Sequence, residues 1–129
     1  MQFRTVNLSH SNLTWLDEDS IPDDVELLNL SYNKLYQLPE FITKLKHLKV
    51  LILNNNKIFK LPENIGELKQ LFYVDVSYNS LTNLPTSFCN LQELTYLNVE
   101  GNDISLTTCD KEVFDFIVDK VIKCRSNDT

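Results

Sequence analysis

The dipeptide Leu-Pro occurs at 38–39, 61–62 and 84–85, always 23 residues apart, and that interval constrains the chain more than any other feature. Periodicity in this range means a solenoid, in which one small unit is repeated and each copy buries its apolar face against the next. At this period the chain divides into full units at 25–47, 48–70 and 71–93, a half unit at 94–106, and an N-terminal unit at 3–24 that is one residue shorter. All 129 residues are expected to form a single domain, long enough to bury a core.

Apolar residues recur in register. Counting from the start of each unit, column four holds Val6, Leu28, Leu51, Val74 and Leu97, and column six holds Leu8, Leu30, Leu53, Val76 and Val99. Alternation between these columns has period two, so each unit opens with a short strand that turns every second side chain inward. Strands repeated once per unit with long returns must be parallel neighbours. The returns "LPEFITKLKH", "LPENIGELKQ" and "LPTSFCNLQE" place Ile42, Ile65 and Phe88 three residues before Leu45, Leu68 and Leu91. That spacing predicts one or two helical or 3-10 turns facing the core, with the proline setting their start.

Column nine is Asn33, Asn56, Asn79 and Asn102, with Ser11 in the first unit. A carboxamide both donates and accepts, so a stack of inward asparagines can pair the backbone where each strand turns away. The run L-x-x-L-x-L-x-x-N-x-L, continued by L-P-x-x-I-x-x-L, resembles the leucine-rich repeats of the 23-residue class over residues 3–106. The resemblance implies an α/β solenoid, a leucine-rich repeat horseshoe with a short parallel β-sheet on the concave face and helical returns on the convex face. It is similar to intracellular Ras-scaffold and Ras-suppressor proteins and to bacterial effector proteins of this class.

A solenoid must be closed at its ends. After residue 106 the repeat breaks, and "DKEVFDFIVDKVIKC" sets Val113, Phe114, Ile117, Val118, Val121 and Cys124 on one helical stripe. A capping helix over about 109–125 is expected, with Asp110 or Thr108 at its start. Binding a partner along its apolar stripe is the alternative use of that helix. At the other end, Trp15 occupies a column otherwise filled by Gln37, Lys60 and Asn83, and either folds over the end or stands exposed.

Composition narrows the function. Net charge is −6, which disfavours nucleic acid and anionic membranes as partners. Six acids crowd into Asp17, Glu18, Asp19, Asp23, Asp24 and Glu26, read as a solvated loop or a docking patch for a basic partner. No apolar run approaches membrane-spanning length. The first residues, MQFRTVNLSH, do not read as a secretory leader, so a cytoplasmic protein is expected, or one delivered into a host cell without a cleaved signal. Three cysteines, Cys89, Cys109 and Cys124, without paired spacing suit reduced thiols. With two glycines, no phosphate loop or dinucleotide fingerprint can be written. His10 and His47 lack metal-ligand spacing, and neither metal nor cofactor is expected.

Surfaces remain. In a curved parallel sheet, columns three, five and seven face the concave side, with column eight beside them. There the chain carries Tyr73, Tyr96 and Val50, then Asn29, Ile52, Asp75 and Asn98, then Glu100, then Tyr32 and Tyr78. These ten residues are the candidate partner-binding set, with tyrosines as anchors because a rigid amphipathic ring loses little entropy on binding. Strands about 4.8 Å apart make a five-strand face about 20 Å wide, enough for a peptide or one small globular face. A rival patch lies on the flank, where Tyr36 and Phe59 share column twelve one column from Trp15. Packing against the returns is the other explanation for those rings.

The expected role is a monomeric protein-interaction module, not an enzyme: an adaptor, regulator or delivered effector. The resemblance implies a protein partner, among which a small GTPase or a ubiquitin-pathway component would fit. The competing reading is a regulatory subunit or thiol-dependent enzyme component using Cys109 or Cys124.

Overall fold

The computed structural model describes the backbone of residues 2–127 and the side chains of residues 2–121. Five three-residue strands, β1 (Thr5–Asn7), β2 (Leu27–Asn29), β3 (Val50–Ile52), β4 (Tyr73–Asp75) and β5 (Tyr96–Asn98), form one sheet in sequence order. All neighbours are parallel and in register, so Thr5, Leu27, Val50, Tyr73 and Tyr96 make one row across the sheet. This is the solenoid expected from the 23-residue period.

Between strands the chain returns through short 3-10 turns at Glu18–Ser20, Glu40–Lys44, Ile65–Glu67 and Thr86–Asn90. The prolines act just outside these turns rather than as first helical residues. Pro39 and Pro85 hold extended N-cap conformations, and their carbonyls accept from Ile42 N–H at 3.2 Å and Phe88 N–H at 2.9 Å. With the strand and its exit using most of each unit, only enough chain remains for i→i+3 turns. Leu28, Leu51, Val74 and Leu97 from the strands, and Leu30, Leu53 and Val76 just after them, meet Ile42, Ile65, Phe88, Leu45, Leu68 and Leu91 from the returns in one buried core.

The asparagine column forms the ladder that its repetition predicts. Asn56 Nδ2 donates to Leu30 O at 2.9 Å in the preceding unit and to Leu53 O at 3.1 Å in its own, while its Oδ1 accepts from Leu35 N–H at 3.1 Å. Asn33, Asn79 and Asn102 repeat this geometry. Ser11, in the first unit, donates its hydroxyl to Ser9 O at 3.1 Å and its N–H to Asn33 Oδ1 at 3.0 Å, so its side chain bridges no two units.

Helix α1 (Lys111–Asn127) follows the last repeat, beginning two residues later than the sequence suggests. Val113 and Ile117 are buried against the end of the core, and Phe116 meets Phe88 edge-on at 6.1 Å. Val118, expected on the buried stripe, is exposed, and Phe116 replaces it. Thr108 caps no helix; its hydroxyl is held by Ser105. The Cys124 side chain lies outside the described residues.

The acidic segment is partly used internally. Asp17 accepts from Asp19 N–H at 3.1 Å to cap the first 3-10 turn, and Asp24 and Glu26 both pair with Arg4.

Candidate functional site

Four of the five strands, β1, β2, β4 and β5, end in a side-chain-to-backbone lock, and β3, which ends in Ile52, does not. Asn29 Oδ1 accepts from the amide of Ser31 at 3.0 Å and from its hydroxyl at 2.7 Å. Asp75 Oδ1 does the same for Ser77 at 2.9 Å and 2.6 Å. Asn98 Oδ1 accepts from Glu100 N–H at 3.0 Å. Such Asx turns satisfy the backbone as the strand stops. They change the reading of column five: Asn29 and Asp75 are fixed side chains with one face committed to the fold, and Ser31 and Ser77 are buried beneath them rather than presented. The signal was in the sequence as Asn/Asp-x-Ser at 7–9, 29–31 and 75–77.

Immediately after this lock the backbone turns left-handed. His10, Tyr32, Asn55, Tyr78 and Gly101, one per unit in column eight, have φ of 55°, 57°, 61°, 55° and 73°. Glycine and asparagine accept that conformation readily, but for other residues it costs about 1–2 kcal/mol. Tyr32 and Tyr78 carry it while 50% and 51% exposed. Their rings are braced: His10 stacks on Tyr32 at 4.5 Å with planes 8° apart, and Tyr78 lies where a Cβ on Gly101 would sit.

The middle of the face differs from expectation. Tyr73 and Tyr96 are half-buried, their rings stacked at 4.2 Å and 6° apart, so they form one slab instead of two free side chains. Burial, followed by the neighbouring Tyr96 phenol and its hydrogen bond, pushes the Tyr73 hydroxyl up to about 12. Val50, expected to be presented, is 7% exposed. It lies between Leu27 and Tyr73 in the cross-sheet row, whose larger side chains flank it. Ile52, Asn29, Asp75 and Asn98 are half-buried in the adjacent row, and Glu100 is exposed beyond them.

A polar and aromatic margin that sequence reasoning missed runs along the other end of the strands. Glu26 accepts from Lys49 Nζ at 2.8 Å and from Arg4 N–H at 3.0 Å. These hydrogen bonds, Lys49 first, hold its carboxyl down at about 2. Phe3 packs on Phe72 at 6.3 Å, with Lys49 Nζ 5.8 Å above its ring.

Reactive chemistry finds little support. Cys89 and Cys109 are free and half-buried, and burial is the first cause that raises both thiols, with Glu112 and Asp110 adding to it respectively. A nucleophilic cysteine needs the opposite shift. Among the described residues no cluster of three His, Cys, Asp or Glu could hold a metal, and no helix is long and apolar enough to cross a membrane.

On the flank, Trp15, Tyr36 and Phe59 are 55%, 53% and 56% exposed. Their rings do not pack away against the returns.

Comparison with known proteins agrees with this architecture. Residues 25–109 match the leucine-rich repeat region family model. A Leptospira interrogans leucine-rich repeat protein, LIC12759, is 37% identical over 78% of this chain, with a TM-score of 0.66. This chain spans only 24% of that protein's length. A chain in the crystal structure of the Drosophila melanogaster SNF/U2A' complex is 22% identical, covering 94% of this chain and 70% of its own, with a TM-score of 0.68. No curated protein matches. Repeat length, asparagine ladder, sheet and family match agree: the chain belongs to the leucine-rich repeat family.

Proposed function

We propose that this domain binds a partner protein through the concave face of its sheet. The observation that carries the reading is the pair Tyr32 and Tyr78, half exposed on left-handed backbone at the exits of β2 and β4, on the sheet that also carries the Tyr73–Tyr96 slab. Column eight is left-handed in every unit, so the repeat itself sets that backbone. What marks Tyr32 and Tyr78 is a large, half-exposed ring where glycine or asparagine would cost less, and such rings serve as contact anchors. The rings would supply the anchors and Asp75, Asn98 and Glu100 the polar selection, with Ile52 and Asn29 at the margin. Val50 supports the surface from below. The role that suits such a module is a cytoplasmic adaptor, regulator or delivered effector that engages a small GTPase or a ubiquitin-pathway component and performs no catalysis itself.

The test is affinity capture from native lysate with the wild type and with Tyr32→Ala/Tyr78→Ala. These rings are exposed, so the variant keeps its fold by circular dichroism. Loss of one or more captured proteins is the expected outcome, and an unchanged capture list would remove the concave face as the binding site.

A further inference from the structure

The concave face leaves the flank unexplained. Trp15, Tyr36 and Phe59 stand more than half exposed there in three consecutive units. Backbone bonds hold those units together, Lys34 N–H donating to Leu13 O at 2.7 Å between the first two, and Phe59 N–H donating to Tyr36 O at 2.9 Å with a short parallel bridge of Gln37 to Lys60 between the next two. Trp15 lines a cleft of about 120 Å³ with Gln37, Leu38, Pro39 and Lys60. Folding does not use the exposed faces of these rings, and apolar groups gathered on one flank call for a partner.

Charge says what kind. Lys34 and Lys57 share column ten of the units that carry Tyr36 and Phe59, and Lys60 follows Phe59 directly. All three are exposed, and among the described residues none has a carboxylate within ion-pair distance. Lys44, Lys46, Lys49 and Lys111 are each paired with an acid, Lys120 lies over the Phe116 ring, and Lys69 stands exposed by itself on a return; the flank is where such lysines gather. A protein of net charge −6 has abundant carboxylates, yet it leaves these three cations unpaired beside three bare rings.

We propose that this flank is a second docking surface for an extended, acidic segment of a partner protein, its carboxylates over Lys34 and Lys57 and its apolar side chains on Trp15, Tyr36 and Phe59, with Lys60, in Trp15's column, at the far margin of the rings. In an extended segment successive side chains point to opposite sides, so alternating acidic and apolar residues would meet the lysine row and the aromatic row at once. Single-stranded nucleic acid also uses cations and stacking rings. Here Glu40 and Glu63 line the clefts beside Lys60 and would repel a continuous phosphate backbone, whereas a peptide can place apolar groups against them.

Trp15 is the single tryptophan of the chain, so its fluorescence reports this flank alone. The full chain is titrated with a synthetic peptide of about ten residues alternating Glu with Leu or Phe, with the same peptide carrying Lys for Glu, and with a short oligouridylate. Saturable change of Trp15 emission by the acidic peptide alone is expected, weakened about tenfold in Lys34→Glu/Lys57→Glu/Lys60→Glu and by raising salt from about 0.05 to 0.5 M. The milder Lys34→Gln/Lys57→Gln/Lys60→Gln serves if charge reversal unfolds the protein, and should also weaken binding. Trp15 emission indifferent to the acidic peptide, or a response retained in both lysine variants, overturns the proposal. A response to oligouridylate as strong as that to the acidic peptide overturns it in favour of nucleic acid. Tyr32→Ala/Tyr78→Ala should leave the response intact, which separates this surface from the concave one.

Discussion

Asn56 shows how much a single residue carries here. Its carboxamide serves one amide and two carbonyls in two adjoining units at once. Truncation would leave those groups buried and unpaired, at about 1–3 kcal/mol each before relaxation. Asn56→Ala should therefore destabilise the domain by about 3 kcal/mol in urea unfolding, while Asn102→Ala, in a more open unit, should cost visibly less. Glu26 gives a second test. Its carboxyl is held down at about 2 by Lys49 and the Arg4 amide, below the value of 4.5 that it returns to when unfolded. Its contribution is present above about pH 4.5 and is lost as pH falls toward 2, because the unfolded chain takes up the proton first. Acid unfolding of Glu26→Gln should accordingly show a shallower slope between those limits, and an unaltered profile would mean the pair contributes nothing in solution. Asn56 was legible from the sequence because its amide recurs in one column. Glu26 was equally in register, since Arg4, Glu26 and Lys49 fill column two of three consecutive units, but only the apolar, asparagine and concave-face columns were read across the repeat, so this alternation of charge went unread.

At the scale of the element, the repeat fixes strands and turns but not how closely neighbouring returns approach. Gly66 N–H donates to Ser87 Oγ at 2.9 Å, and that hydroxyl donates to Glu63 O at 2.6 Å. A methyl group on Gly66 would overlap the Ser87 carbonyl, backbone that cannot rotate aside. Gly66→Ala should cost about 2 kcal/mol by thermal or denaturant unfolding, although alanine is ordinarily the better residue in a helical turn. A melting temperature equal to wild type would show that the two returns are not in contact. The strand faces were half legible for a related reason. Period two told which side chains point inward, but whether an outward one is exposed depends on its cross-strand neighbours. Val50 between Leu27 and Tyr73 is therefore buried, and Tyr73 and Tyr96 stack on each other. Tyr73→Ala should thus cost about 1 kcal/mol in stability through the lost stack, where an isolated surface ring would cost nothing measurable.

The whole molecule is close to one-dimensional: each unit packs on its neighbours, so stability is set by unit and interface contributions added along the axis. The two ends are unequal. Val113 and Ile117 of α1 are buried against the last unit, and Phe116 meets Phe88, whereas Val6, Leu8 and Leu13 of the first unit are only partly covered and Ser11 contributes no asparagine rung. Opening should therefore start at β1 and travel inward. Native-state hydrogen exchange is expected to rank amide protection lowest in β1, higher in β2, and highest in β3 and β4. Ile117→Ala should remove about 2–5 kcal/mol from the C-terminal interface and lower the protection of β5 selectively, leaving β1 almost unchanged. If the same substitution lowered every strand equally, the domain would open only as a whole, and α1 would be part of one cooperative core instead of a lid on the last unit.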